Sequence, residues 1–298
     1  MSDHATDAAT ETFVAHRNLL FTVAYEMLGS AADAEDVLQE TWLRWVKVDV
    51  EHVRDQRAYL VRITTRQSLN RLRTMSRRKE TYVGPWLPEP LITAPDVAEN
   101  VELAESMSMA MMLVLETLSP TERAVFVLRE VFDVDYDEIA AAVDKSPVAV
   151  RQIAHRARRH INARRPRSVV SVTETRAALE SFQRALETRD LQGLLDVLAP
   201  GVVVVSDGGG IKQAALRPIT GAEKVVRFLA GGLAKTDATI TLGPTVVNGN
   251  PGFVFRLDGE IDGIMAARVE DARITGLYYV RNPQKLTRID SETPLTLR

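Results

Sequence analysis

The chain has no cysteine among its 298 residues. That excludes disulfides, thiolate nucleophiles, zinc ribbons and cysteine-ligated iron-sulfur clusters, and it fits a reducing cytoplasm. No apolar run approaches the ~18–20 residues that a membrane span needs. The first twelve residues are polar and acidic, which is not the pattern of a signal peptide. All five histidines (His4, His16, His52, His155 and His160) precede residue 161, so the last part of the chain has neither His nor Cys for acid-base or metal chemistry. His155 and His160 are spaced too far apart for one helical face, and no metal site is expected. The chain also lacks a positive balance: the formal net charge is -3, which taken whole argues against a nucleic-acid partner.

That total hides a strong pattern. Residues 1–53 carry 3 basic and 10 acidic side chains, whereas residues 54–79 carry nine basic residues against Asp55 alone. Residues 89–144 are again acidic, with 13 acids and 2 bases, and residues 145–167 hold eight basic residues and no acid. Two blocks of net +8 therefore sit inside acidic surroundings. Beyond residue 168 the signs cancel. The 45% hydrophobic and 26% charged content is ordinary for a globular protein, and the length suits two or three compact units.

Hydrophobic spacing predicts helices over residues 12–47, interrupted at Gly29, with Asp33, Glu35 and Asp36 in the first turns of the second helix, where the helix dipole favours acids. Val37, Leu38, Thr41, Trp42 and Trp45 form its expected apolar stripe. A further helix over 56–79 turns Leu60, Val61, Leu69 and Leu72 inward and its arginines outward. Residues 82–95, with Pro85, Pro88, Pro90 and Pro95, read as an extended linker. Residues 101–165 return to helix. Leu103, Met107, Ala110, Met111, Val114, Leu115 and Leu118 trace a buried face, and Ser119, Pro120 and Glu122 supply an N-cap, an N1 proline and a capping box for a helix over 121–131.

Residues 136–161 carry the most informative pattern. A helix over 136–142 meets a tight turn at Val143, Asp144 and Lys145, and a second helix opens with Ser146 as N-cap and Pro147 at N1. Val150, Ile153, Ala154, Ala157 and Ile161 share one face of it; Arg151, Gln152, His155 and Arg159 share the other. This is a helix-turn-helix whose second helix can offer bidentate donors to base edges in a major groove. Arg156, Arg158, Arg164 and Arg165 suit phosphates. The turn residue Asp144 tolerates the left-handed conformation.

The run Asp33-Ala34-Glu35-Asp36-Val37-Leu38-Gln39-Glu40-Thr41-Trp42 resembles the region 2 signature of extracytoplasmic-function (ECF) sigma factors. Residues 57–73 resemble the segment that follows it, and residues 118–123 with the helix-turn-helix resemble region 4. The resemblance implies docking on core RNA polymerase (β′ clamp helices and β flap) through Asp33, Glu35, Asp36, Gln39, Glu40 and Trp42. It implies minus-10 DNA binding through Arg66, Asn70, Arg71, Arg73, Arg77 and Arg78, with Gln67 and Asn70 standing where the family often has an Asn/Asp pair. Minus-35 DNA binding falls to Arg151, Gln152, His155, Arg156 and Arg159.

Residues beyond 170 read as an α+β unit: two helices broken near Asp190, a strand at 202–205, a helix at 222–229 and four strands separated by Gly, Asn and Asp turns. This pattern resembles the SnoaL-like (nuclear-transport-factor-like) fold, a cone-shaped domain. Three motifs, at residues 86–90, 207–210 and 282–286, resemble those of the sigma factor J-like subclass that carries this domain fused. The departures are Ile211, where a basic residue usually follows the glycines, and Gln284, where an acid is common.

The expected organisation is therefore multidomain: two all-α sigma regions, at 1–80 and 103–166, separated by a linker at 81–102 and followed by a SnoaL-like domain at 170–298. The resemblance implies a cytoplasmic bacterial protein that directs promoter recognition and is regulated in cis by its last domain, without cofactor, metal, membrane association or catalytic residues. The expected regulatory contact joins Trp86 and Pro88 to Asp207, Gly208, Gly209, Gly210, Asn282 and Pro283. Because the same fold serves isomerases and cyclases, Asp207, Asp258 or Asp262 with Tyr278 or Tyr279 remain the carboxylates to weigh for a pocket that binds or converts a small molecule.

Overall fold

The computed structural model describes residues 2–94, 101–164, 172–234 and 237–297; the side chains of residues 2–6, 51, 76–78, 101, 172, 173 and 233 fall outside that description. The chain divides into two compact units. One holds residues 1–80, 111–165 and 294–298, and the other holds residues 81–110 and 166–293.

The first unit is helical. Helices α1 (Ser2–Leu28), α2 (Ala31–Trp45) and α3 (Gln56–Glu80) form its first part. Gly29, at φ 68°, ends α1, and Ser30 caps α2 by accepting from the Asp33 amide. Trp45 is fully buried and its indole N–H donates to the Ala9 carbonyl at 2.8 Å. Trp42 is only half-buried and packs its ring on Phe13 at 5.2 Å.

In the sequence that follows, Ser108 separates α4 (Val101–Met107) from α5 (Met109–Leu115), so the run expected as one helix is two, and α4 belongs to the second unit. Ser119 and Glu122 form the expected capping box on α6 (Pro120–Phe126), which continues as a π-helical turn over Val127–Val131. Helices α7 (Tyr136–Val143) and α8 (Pro147–Asn162) form the helix-turn-helix, with Asp144 left-handed at φ 56° between them.

A buried ion cluster ties these helices together. The Arg123 guanidinium, 2% exposed, donates to the Glu26 carbonyl at the end of α1 at 3.1 and 2.8 Å and pairs with Glu116. Lys79 of α3 pairs with the same carboxylate. Burial would raise the Glu116 carboxyl, but the charges of Arg123 and Lys79 hold it below its ordinary value.

The second unit is helix-plus-sheet. Helices α9 (Val172–Glu187), α10 (Leu191–Val197) and α11 (Ala222–Leu233) accompany strands β1 (Leu198–Asp207), β2 (Ile219–Thr220), β3 (Ile240–Val247), β4 (Asn250–Leu257), β5 (Glu260–Glu270) and β6 (Arg273–Val280). The sheet order is β2-β1-β6-β5-β4-β3, antiparallel except where β1 runs parallel to β6. Three two-residue hairpins connect β3 to β6, and Asn248-Gly249 and Asp258-Gly259 supply the positive φ at both central positions that such turns demand. Phe182, Leu186, Val202, Phe253, Ile274 and Leu277 lie in its core. This is the α+β arrangement expected.

Candidate functional site

The parallel pairing of β1 with β6 builds the first site. Parallel neighbours end at the same edge of a sheet, and here Asp207 lies opposite Val280. The Asp207 carbonyl accepts from the amides of Arg281 and Asn282 at 2.7 and 2.9 Å, which brings the glycine motif beside the 282–286 motif. The glycines then turn sharply: the Gly208 carbonyl accepts from the amides of Ile211 and Lys212, both at 3.0 Å. Gly209, at φ 61°, lies so close to the Asn282 side-chain amide that a Cβ there would force Asn282 to shift.

The proline-rich segment expected as an extended linker packs onto this junction. Leu87, Pro88, Glu89, Pro90 and Leu91 are buried. The fully buried Asp207 carboxylate accepts from the Tyr82 hydroxyl at 2.6 Å, the Leu87 amide at 2.8 Å, the Gly209 amide at 3.0 Å and the Lys285 ammonium at 2.7 Å. Lys285 also donates to the Leu87 carbonyl at 2.5 Å, and its ammonium lies 4.2 Å from the centre of the Trp86 ring and 4.9 Å from that of Tyr82. Asn282 donates to the Tyr82 hydroxyl at 2.8 Å. Burial, then the hydrogen bond from Tyr82 to Asp207, pushes the phenol pKa well up. Trp86, Asp207, Gly208, Gly209 and Asn282 lie together at this junction; Pro88 is buried, Pro283 is exposed, and Gly210 lies against Val83.

Three residues outside the expected contact complete the junction. Tyr82 and Lys285 provide the donors, and Asn248 anchors the far end of the segment. Its side chain accepts from the Leu91 amide at 2.9 Å and donates to the Met107 carbonyl at 3.1 Å. Ile92 bridges to Val247 on the edge strand β3. In sequence Asn248 marks a hairpin turn; its second use depends on what packs against the turn.

The carboxylates weighed for chemistry separate. Asp262 is held by a fork from Arg281, at 2.8 Å to each oxygen, by the Tyr279 hydroxyl at 2.5 Å and by Lys212 at 3.4 Å. Burial works to raise it, but the hydrogen bonds from Arg281 and Tyr279 hold its pKa below the ordinary value. Asp258 lies in the β4–β5 turn and accepts from the Thr239 amide, and Asp207 belongs to the segment junction. Only Asp262 and Tyr279 meet among these candidates. No group of His, Asp and Glu able to hold a metal occurs among the described residues.

In the helical unit, Gln39 and Glu40 are exposed on α2, whereas Asp33, Glu35 and Asp36 are engaged within the protein. Both Glu35 oxygens accept from Arg17 Nη2, at 2.9 and 2.7 Å, and Arg71 bridges Asp33 and Asp36. Of the minus-10 candidates, Arg66 donates to the Ala141 carbonyl at 2.8 Å, Asn70 accepts from Arg73 at 3.2 Å, and the side chains of Arg77 and Arg78 lie outside the described residues. Gln67, expected beside Asn70, is buried instead. On α8 the expected division holds: Val150, Ile153, Ala154, Ala157 and Ile161 are buried, while Arg151, Gln152, His155, Arg156 and Arg159 are exposed. The Arg151 guanidinium lies 5.4 Å from the centre of the Tyr136 ring. Arg158, expected on phosphate, is paired with Glu130 at 3.0 and 2.5 Å; Arg165 lies outside the described residues.

Residues 12–78 match the family model Sigma-70 region 2, and residues 108–161 match Sigma-70, region 4. Over 292 residues the chain is 37% identical to the ECF RNA polymerase sigma factor SigJ of Mycobacterium tuberculosis, covering 92% of each. The chain belongs to the ECF sigma factors. A second relative of this sigma factor, described as a probable ECF RNA polymerase sigma factor SigI of the same species, is 30% identical over 295 residues, covering 98% of this chain and 99% of the relative. The crystal structure of M. tuberculosis SigJ matches this sigma factor with a TM-score of 0.74 and 32% identity, across 96% of this chain and 100% of that one. The fused helix-plus-sheet domain is therefore shared along with the two sigma regions. As a sigma factor the protein binds core RNA polymerase and promoter DNA and directs transcription initiation. None of its helices, among the described residues, is long and apolar enough to cross a membrane.

Proposed function

We propose that this ECF sigma factor is regulated in cis by its helix-plus-sheet domain, and that the proline-rich segment is the point of control. The observation that carries this reading is the Asp207 carboxylate, whose partners Tyr82 and Leu87 come from the segment joining the two sigma regions. A segment held this way cannot freely set the separation of regions 2 and 4, and that separation must match the distance between two promoter elements. Working in the cytoplasm, region 2 would dock on the β′ clamp helices through α2 and open the minus-10 element with α3. Region 4 would engage the β flap and read the minus-35 element with Arg151, Gln152, His155, Arg156 and Arg159. The opposed charge blocks support this division, since each +8 block falls on one of the two helices assigned to DNA.

Run-off transcription with core polymerase tests the reading, comparing the full chain with a chain ending at residue 167. A change in initiation on removing the domain is expected. Equal initiation by both removes the regulatory role, and no initiation by either overturns the division of labour between the regions.

A further inference from the structure

Arg71 falls within the basic block assigned to promoter DNA, yet its surroundings are acidic. Its Nε lies 2.5 Å from Asp33 Oδ1 and its Nη2 donates to Asp36, both on the neighbouring helix α2. From the other side, Arg17 Nη2 of α1 donates to both carboxylate oxygens of Glu35. The three acids that open α2 are thus tied to both helices flanking it.

The packing of α2 explains why such ties are needed. Its buried residues are Ala31, Ala34, Val37, Leu38, Thr41 and Trp45. The C-terminal half is anchored by the buried indole of Trp45, but the first turns offer only two alanines, which bury little apolar area and restrain rotation weakly. Ion pairs on both sides supply the missing restraint. A planar guanidinium suits this because one fork can span two carboxylates. Burial works against the Arg71 charge, but the hydrogen bond and charge of Asp33, followed by those of Asp36, hold it more firmly than usual.

Asp36, Gln39, Glu40 and Leu43 are all exposed and recur at the spacing of one helical stripe. Leu43 is 53% exposed, an apolar point among acids. We propose that Arg71 is a positioning residue for this stripe, fixing the rotation and tilt of α2 so that Gln39, Glu40 and Leu43 meet polymerase together, and that it is not a promoter contact. The proposal rests on the reading of α2 as the polymerase-docking helix. It predicts a division within the basic block: Arg71 serves polymerase affinity, while Arg73 serves DNA.

The test uses the full chain with Arg71→Gln, Arg71→Lys, Asp33→Asn and Arg73→Gln substitutions. Two quantities are measured: affinity for core polymerase, and the salt dependence of promoter binding by holoenzyme formed at saturating sigma factor. Arg71→Gln and Asp33→Asn are each expected to weaken core binding about tenfold, and the double variant no more than either alone, because the pair acts as one unit. Arg71→Lys, which keeps the charge and the fold but loses the fork, is expected to weaken it severalfold. Promoter binding by saturated Arg71→Gln holoenzyme should keep its salt slope, whereas Arg73→Gln should lower that slope by about one. Unchanged core affinity in both Arg71 variants, or a reduced salt slope for Arg71→Gln, overturns the proposal. Failure of the underlying reading looks different: substituting Glu40 and Leu43 on the stripe itself would leave core affinity intact.

Discussion

The hydroxyl of Tyr82 donates to the carboxylate of Asp207 at 2.6 Å, joining two positions 125 residues apart in the chain. The bond places a tyrosine from the segment between the sigma regions at the end of the first strand of the appended domain. Lys285 supplies the countercharge to the same carboxylate, so the segment closes over a buried ion pair and Leu87 seals it. A contact of this kind is all-or-none in character, because a buried carboxylate that loses its donors is costly to keep.

Replacing Asp207 with Ala strands the Lys285 ammonium and frees Tyr82 and the Leu87 amide. A loss of about 3–5 kcal/mol in the stability of the second unit is expected. Denaturant unfolding measures it, and limited proteolysis should show cleavage appearing within residues 82–94. A segment that stays resistant in the variant counts against Asp207 as its anchor.

Gly209→Ala meets two obstacles at once, a left-handed backbone and the Asn282 amide where the new methyl group would sit. Overpacking of this kind costs roughly 1–3 kcal/mol. Gly201→Ala, which has open space around it, serves as the control and should unfold like the parent. Thermal melts of the two variants compare them directly.

In the helical unit, Arg123→Ala removes both hydrogen bonds to the Glu26 carbonyl and leaves Glu116 with Lys79 alone. The expected cost is about 3–5 kcal/mol, because a buried pair is broken from one side. Arg123→Lys should recover little of it, since an ammonium cannot reproduce two bonds converging on the Glu26 carbonyl while a third nitrogen holds Glu116. Urea unfolding followed by helical circular dichroism reads both.

Substitutions on the exposed face of α8 should separate affinity from stability. Arg151→Ala and Gln152→Ala are each expected to cost about 1–3 kcal/mol in minus-35 binding by holoenzyme if they make bidentate base contacts, and to relax specificity at one position. Their unfolding midpoints should match the parent, because neither side chain is buried. Ile153→Ala on the opposite, buried face should do the reverse and lower stability.

Acid should loosen both units. Asp262 and Glu116 both have folded pKa values below their ordinary values of 3.8 and 4.5. In each case the unfolded chain binds the proton more readily, so the stabilisation is fully present above the ordinary value and is lost as pH falls through it toward the folded value. A fall in unfolding free energy that begins near pH 5 and steepens below pH 4 is expected. Asp262→Asn should flatten the part belonging to the second unit, provided that the Arg281 fork is the cause.

Much of this was legible in the sequence because the signals are local. Ser119 with Glu122, Ser146 with Pro147, and Asn248 with Gly249 specify caps and turns through neighbours a few residues away, and each appears in the structure. The buried face of α8 follows from helical spacing alone. The break at Ser108 was not legible, since the methionines on either side of it continue a helical apolar stripe; the boundary between the compact units falls just beyond it, after Ala110. Nor could the linker be read as packed: proline density predicts an extended chain, which it is, but not whether a partner covers it.

The sequence by itself determined the family, the two basic blocks and the helix-turn-helix, because composition, spacing and capping act within a few turns of chain. Only the tertiary structure decided which charges are spent internally. Arg71 and Arg73 look alike along the chain, and so do Asp36 and Glu40; one of each pair is tied across helices and the other is exposed or held only by neighbours on its own helix. Ion pairing falls off within a few ångströms, so the partner of a side chain is fixed by which helices pack together.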